Sequence, residues 1–211
     1  MARTTILTKP IILLGEGKDE ELFLRALIEY MGLDEYIQVL EYGGKNRLHQ
    51  FMRAFVNTTG FKNVKAIGIT RDADDDGFEN AFKSVRSALA SANLPTPERP
   101  FEVAGNKPKV AIMILPDNSS NGKLEDLCLE SVKNDPAIEC INSFFQCLSE
   151  NKIEQRDKSK ARVHAFLATR YEPDKRLGEA AKAGYWNFGS PAFNELRGFI
   201  RLLSESTKTM D

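Results

Sequence analysis

Three groups of acidic residues follow hydrophobic segments that are typical of β-strands. In an open α/β sheet, ligands bind at the carboxyl ends of the strands, so we expect these acidic side chains to converge. Glu16 and Glu20 are one helical turn apart and therefore face the same side of a helix. The acidic residues of the three groups, in chain order, are Glu16 and Glu20, then Asp72, Asp74 and Asp76, and then Glu125.

Clustered carboxylates favour a bound cation. Like charges in one cleft raise each other's pKa values and oppose ionisation, and a divalent metal ion removes this conflict. Sites made only of carboxylate oxygens suit hard ions such as Mg²⁺ or Mn²⁺, which keep several waters and are completed by substrate phosphates. The sequence therefore predicts a Mg²⁺ or Mn²⁺ site and a phosphate ester as substrate.

Three better-known motifs fail at definite positions. Residues 72–77, DADDDG, begin like an EF-hand loop, but Lys83 stands at the twelfth position, where a bidentate Glu is needed. Residues 15–18, GEGK, end like a phosphate-binding loop, but Ile12 replaces its upstream glycine. In a dinucleotide fingerprint, Glu20 would replace the third glycine and repel a pyrophosphate.

The surrounding pattern predicts the elements that position these residues. Four apolar segments, PIILL, YIQVLEY, VKAIGIT and KVAIMIL, alternate with segments of helical period, and helices dominate after Asn118. We predict an α/β domain over residues 8–133, with a central, mostly parallel sheet of about four strands flanked by helices. A helical C-terminal extension over residues 134–211 packs on it, and the alternative is one single domain.

Composition narrows the class of protein. The 29 Lys and Arg residues against 30 Asp and Glu residues exclude a strong overall cationic field, so any nucleic-acid contact is local. Cys128, Cys140 and Cys147 lack the spacing of a zinc site or disulfide framework. The apolar run from Ile11 to Leu14 is too short for a signal peptide or a membrane span. We expect a cytoplasmic protein without membrane contact.

Basic residues supply further candidates. The stretch from Lys152 to Arg176 has eight basic and four acidic residues, and within it Lys160 or Arg170 could stabilise charge on a phosphate. The alternative is a solvated helix face. The turn at residues 43–47, GGKNR, is expected to face a phosphate through free N–H groups and positive side chains. Asp75 and Asp126 are expected to face solvent.

The acidic motifs resemble those of the Toprim (topoisomerase-primase) domain. That family has a Glu-Gly pair after one strand and an Asp-x-Asp after a later one, here Glu16-Gly17 and Asp72-Ala73-Asp74. The layout is similar to small stand-alone Toprim proteins and to the nuclease domain of OLD-type (overcoming lysogenisation defect) enzymes. The resemblance covers residues 10–132, and residues 160–188 also look like the tail of the stand-alone proteins.

The resemblance implies a Rossmann-like Toprim fold and a Mg²⁺- or Mn²⁺-dependent nuclease or phosphodiesterase. DNA or RNA would be its substrate, in genome defence or nucleic-acid processing. Glu16, Asp72 and Asp74, with Lys160 from the basic stretch, are the expected catalytic residues, and Glu16 is a metal ligand or general acid/base. The expected metal ligands are Glu16, Glu20, Asp72, Asp74, Asp76 and Glu125.

Two other functions remain open. One is a non-catalytic metal- or nucleotide-binding Toprim module that acts with a partner protein, such as an ATPase supplied in trans. The other is a receiver-like domain in which an aspartate accepts a phosphoryl group. Against the receiver, residues 115–117, LPD, stand where such a domain needs a lysine.

Overall fold

The centre of the molecule is a parallel β-sheet. The computed structural model describes residues 5–74 and 76–208, and within them the sheet has four strands in the order β2-β1-β3-β4. Ile11 of β1 is paired with Ile37 of β2 on one side and with Ala66 of β3 on the other. The strands are β1 (Ile11–Gly15), β2 (Ile37–Glu41), β3 (Ala66–Asp72) and β4 (Lys109–Leu115).

The strands lie where the apolar segments predicted them. Helices cover both faces of the sheet, so parallel strands read as continuous apolar runs rather than as alternating ones. All five residues of β1 are buried. β3 differs from its predicted segment because it continues through Arg71 and Asp72, which are polar. The predicted α/β class and sheet are confirmed.

Eight α-helices are present in the described ranges. A 3₁₀ helix, Lys45–Arg47, directly precedes the second of them. Further 3₁₀ turns lie at Phe61–Asn63 and Pro191–Phe193. The α-helices are α1 (Lys18–Tyr30), α2 (Leu48–Phe55), α3 (Phe78–Ser91), α4 (Leu124–Ser131), α5 (Ala137–Glu150), α6 (Lys158–Ala168), α7 (Leu177–Lys182) and α8 (Asn194–Lys208).

The helices form two cores, one on each face of the sheet. α2 and α3 cover one face with Met52 and Val85, and α1, α4 and α6 to α8 form the core on the other. Gly68 of β3 lets α8 lie close to the sheet, because a Cβ atom there would be 2.3 Å from Leu203 Cδ1. The C-terminal helix therefore packs directly on the sheet. The boundary between residues 133 and 134 stays a prediction.

The strand order creates a topological switch point. The chain runs from β1 to β2 at one edge and then returns past β1 to β3, so the carboxyl ends of β1 and β3 are neighbours. α7 reaches the same end of the molecule by packing on α1. A Cβ atom at Gly178 would be 2.5 Å from the Asp19 carbonyl oxygen, so only glycine fits this contact. No helix in the described ranges is long and apolar enough to cross a membrane.

Candidate functional site

A small cavity lies at the switch point. Its volume is about 190 Å³. Four of the predicted metal ligands line it, together with the predicted catalytic lysine: Glu16, Glu20, Asp72, Glu125 and Lys160. Both the strand ends and the C-terminal helices contribute to the rest of its wall, which is formed by Gly17, Lys18, Asp19, Leu124 and Leu177. The convergence expected from the strand ends is found for these residues.

Glu16 is held by the loop after β2. Its carbonyl oxygen accepts hydrogen bonds from the N–H groups of Gly43, at 3.1 Å, and Gly44, at 2.8 Å. Its Oε1 accepts a third from the N–H of Lys45, at 3.1 Å. The expectation that this loop offers free N–H groups to a phosphate is therefore wrong. Burial raises the pKa of Glu16, and its buried Oε2 has no partner within the described residues.

Glu20 is fully enclosed and favours its protonated form. Its Oε2 accepts a hydrogen bond from the N–H of Glu16, at 2.6 Å, and its Oε1 lies against the Thr70 hydroxyl. Burial raises the pKa of Glu20 to about 7, and the charges of Glu16 and Glu125 act in the same direction.

The Thr70 hydroxyl links Glu20 to the end of β1. Thr70 Oγ1 donates to Glu20 Oε1 and also lies 3.0 Å from the Leu14 carbonyl oxygen. The hydrogen bond from Thr70 lowers the pKa of Glu20 and so partly offsets the effect of burial. Sequence reasoning missed Thr70. Strand alternation would have found it, since Thr70 and Asp72 face the same side of β3.

Asp72 and Glu125 meet at the start of α4. Asp72 Oδ1 accepts a hydrogen bond from the N–H of Leu124, at 3.0 Å, which fixes the end of β3 to the first turn of the helix. Burial raises the pKa of Asp72 well above its usual range, and the charges of Glu20, Glu125 and Glu16 raise it further. Burial also raises the pKa of Glu125.

The neighbouring Asp126 is not solvent-facing, so that expectation is wrong. Its Oδ2 accepts a hydrogen bond from the N–H of Lys123, at 2.9 Å, and its Oδ1 accepts one from the Ser159 hydroxyl, at 2.5 Å. Asp126 thus caps α4 and ties it to α6. Asp75, for which the same expectation was made, lies outside the described residues.

Asp74 and Asp76 lie beside the cavity rather than in its described wall. Asp74 has a φ of 48°, and its N–H donates to the Gly122 carbonyl oxygen, at 3.0 Å. Its charge contributes to the raised pKa values of Glu16 and Asp72. Asp76 turns to Lys45, whose Nζ donates to its Oδ2 at 2.9 Å, and this hydrogen bond lowers the pKa of Asp76.

The two basic candidates, Lys160 and Arg170, lie at different cavities of the molecule. Lys160 lies in the first turn of α6, where its N–H donates to Asp157 Oδ1, at 2.9 Å, and its side chain lines the cavity. Arg170 is bound instead by Asp135, with N–O distances of 2.8 and 3.1 Å. It borders a larger cavity of about 950 Å³ at the opposite ends of α1 and α4. Lys160 is therefore the candidate that can act at the acidic cavity.

Comparison with protein families identifies one family that matches this sequence. The sequence profile of DUF3226, described as a protein of unknown function, matches residues 10–205. The chain belongs to this family. No curated protein matches it.

Two solved structures of the C-terminal region of the Xanthomonas campestris pv. campestris OLD protein share its fold. The structure phased with mercury has 13% identity and a TM-score of 0.52, and the match covers 97% of each chain. The structure phased with platinum has 14% identity and a TM-score of 0.50, and the match covers 95% of this chain and 93% of the other. At this identity the likeness establishes the α/β fold alone.

The chemistry of the cavity fits a hard divalent cation. The donors are carboxylate oxygens, burial and mutual repulsion disfavour their ionisation, and Glu16 Oε2 is buried without a partner among the described residues. In the described part of the chain, however, no three His, Cys, Asp or Glu side chains are already arranged as a ligand group. Oxygen atoms of Glu20 and Asp72 accept hydrogen bonds from Thr70 and from the backbone.

Proposed function

We propose that this DUF3226 chain is a Toprim-type phosphodiesterase or nuclease that acts on DNA or RNA with Mg²⁺ or Mn²⁺. The observation that carries the proposal is the convergence of four of the predicted metal ligands and Lys160 on one cavity at the switch point of a parallel sheet. The shared fold of the OLD C-terminal region supports it.

The acidic residues in and beside the cavity have different expected roles in metal binding. Glu16, Glu20, Asp72 and Glu125 would hold metal, and Asp74 stands beside them as a further ligand. Asp76 is the reserve ligand, because it is already paired with Lys45. A divalent ion bound there would polarise a phosphoryl oxygen and lower the pKa of a bound water.

The protein side chains supply charge. Lys160 presents a positive charge to the cavity and would stabilise negative charge on the reacting phosphate. Without metal, Glu20 has a pKa of about 7, so a metal ion that binds there at lower pH would have to displace its proton. The hydrogen bond from Leu124 to Asp72 holds that carboxylate in place.

The test is a cleavage assay on labelled single- and double-stranded DNA and RNA in Mg²⁺ or Mn²⁺. We expect cleavage by the wild type and its loss in Asp72→Ala and Asp74→Ala. Asp135→Asn is the matched control, because it removes an acid that is paired with Arg170 far from the cavity. Cleavage that is equal in all four proteins would contradict the proposal.

An inactive wild-type protein would favour the second candidate function, a binding module without catalysis. If Mn²⁺ binds and no substrate is cleaved, nuclease activity of the isolated chain is rejected for these substrates. The alternative is then a binding module that acts with a partner protein, such as an ATPase in trans. Adding candidate ATPases to the same assay distinguishes an incomplete enzyme from a module without catalysis.

A further inference from the structure

Arg71 is a buried cation whose hydrogen bonds are incomplete. It lies next to the end of β3, and its exposed fraction is 4%. Strand alternation places it on the face covered by α2 and α3, with Ile69 and Ala73 and opposite to Asp72. Its Nε and Nη1 have no hydrogen-bond partner within the described residues. Its Nη2 lies 3.5 Å from Asp76 Oδ2.

A buried guanidinium with unpartnered N–H groups needs a hydrogen-bond acceptor. Arginine is almost never fully buried unless it is paired, and buried N–H groups without acceptors cost free energy. The planar guanidinium presents its donors in a fork that matches the oxygens of a phosphate. Arg71 therefore has unused but buried donors, and an oxyanion from outside the chain could reach the guanidinium only if Asp76 moved away from Nη2.

Lys45 marks where that anion would lie. Its Nζ is 2.9 Å from the same Asp76 Oδ2 that Arg71 approaches, so one carboxylate oxygen lies between two cations. The Asp76 side chain is 46% exposed and that of Lys45 is 39% exposed. Exposed ion pairs contribute little stability, so a stronger anion can displace Asp76. The position is next to the acidic cavity, because the N–H of Lys45 binds the Glu16 carboxylate.

We propose that Arg71 and Lys45 form a phosphate-binding pair, in which a phosphate of the nucleic-acid strand replaces Asp76. The proposal rests on the proposed function, since it names how that site holds its substrate. The charges of Arg71 and Lys45 act on Glu16, whereas that of Lys160 acts on Glu125, so a bound strand would meet cations near both carboxylates. Without substrate, the Asp76 carboxylate occupies the position that the substrate phosphate would take.

The test is equilibrium binding of a fluorescent single-stranded oligonucleotide in Ca²⁺ at several salt concentrations. Arg71→Gln is expected to weaken binding about tenfold, because a hydrogen bond to a charged group is lost. It should also reduce the slope of log affinity against log salt by about 0.7, the value for one phosphate contact on a single strand. Lys45→Gln should act in the same direction, and Asp76→Asn should tighten binding.

Two controls separate binding from folding. Arg86→Gln on α3 removes the same charge, and its Nε also lacks a partner among the described residues, but it lies about 13 Å along the helix from the Gly77 end. It should bind like the wild type. The increase in melting temperature with Mn²⁺ should be the same in Arg71→Gln as in the wild type. Lys45→Gln, which changes a half-exposed side chain, keeps the test decisive if Arg71→Gln does not fold.

The outcomes distinguish this proposal from the proposed function. Wild-type affinity and salt slope in both Arg71→Gln and Lys45→Gln would overturn the phosphate pair, even if the protein cleaves nucleic acid. Binding that depends on Arg71 without any cleavage would support the pair while nuclease activity fails. If inorganic phosphate stabilises the wild type but not Arg71→Gln, and oligonucleotide binding is unchanged, the pair binds free phosphate and the nucleic-acid assignment is overturned.

Discussion

Acidic residues have pKa values shifted in opposite directions in two regions of the molecule. These regions are the strand-end cavity and the helical region after β4. In the helical region, the Asp135 carboxylate accepts two hydrogen bonds from Arg170, which lower its pKa. Partial burial opposes ionisation of Asp157, but hydrogen bonds from Lys123 and Lys160 lower its pKa overall. In the cavity, burial raises the pKa values of Glu20 and Asp72.

This contrast shows which acids serve the fold and which need a ligand. Asp135 and Asp157 have their cations within the chain, and their charges are part of the folded structure. Cations of the chain also lie near the cavity carboxylates, among them Lys45 at Glu16 and Lys160 at Glu125, but they do not offset the effect of burial on the pKa values. Their ionised forms need a cation from outside. The difference can be tested by changing one acid from each region in the same experiment.

The largest expected effect is the pH dependence of stability without metal. Between pH 4.5 and about 7, the unfolded chain releases the Glu20 proton while the folded chain keeps it, so the free energy of unfolding falls as pH rises. The loss from Glu20 amounts to about 3 kcal/mol, is complete above pH 7, and is absent in Glu20→Gln. Urea denaturation in EDTA from pH 5 to 8 measures it. Asp135→Asn should keep the wild-type slope, and equal slopes in Glu20→Gln and the wild type would contradict the assignment.

A slightly smaller effect is expected from metal binding. At 100 times its dissociation constant, Mn²⁺ should stabilise the folded protein by about 2.7 kcal/mol, which raises the melting temperature by roughly 5 to 10 °C. The increase should be larger at pH 8 than at pH 5.5, because the ligands must be ionised. Differential scanning calorimetry should show it in Asp135→Asn but not in Asp72→Asn or Glu16→Gln. An unchanged increase in Asp72→Asn would place the metal elsewhere.

Lys160→Ala should lower the cleavage rate constant by roughly 10- to 100-fold, because a cation next to the reacting phosphate is lost. The Mn²⁺-dependent increase in melting temperature should remain. Lys160→Arg should restore part of the rate, and Lys158→Ala, on the same turn of α6 but outside the cavity wall, should cleave like the wild type. A rate that also falls in Lys158→Ala would indicate a general effect of charge on this helix.

The smallest effect concerns the paired region. Asp157 accepts the N–H of Lys160 at the start of α6, so Asp157→Ala should cost about 1 kcal/mol of stability. Asp157→Asn should cost less, because asparagine also caps helices. Urea denaturation at pH 7 compares the two variants. If they are equally destabilised, the ion pair with Lys123 rather than the cap holds this end of the helix.

The fold was predictable because its signals are local. Buried parallel strands read as short apolar runs, and KVAIMIL coincides with β4, Lys109–Leu115. The convergence at the cavity also followed, because carboxyl ends of parallel strands share one edge. The sequence did not predict which of the acidic residues line the cavity and which pair with a cation. Lys45 is 31 residues from Asp76, and tertiary structure alone decides that the two meet.

The errors have a common physical cause. The N–H groups of Gly43, Gly44 and Lys45 appeared free because their acceptor, Glu16, is distant in sequence. Arg71 looked like part of a loop, but the pairing of β3 with β4 continues through it and carries it into the core. In both cases a polar group was predicted to lie in an open loop, and a distant backbone segment encloses it.

Glu16 and Lys45 are coupled mechanically. The loop from Gly43 to Lys45 grips both the carbonyl and the carboxylate of Glu16 through consecutive backbone N–H groups. A substrate that binds the Lys45 side chain would therefore contact the residue whose N–H holds the Glu16 carboxylate. A substrate too short to reach Lys45 should leave Glu16 less firmly aligned.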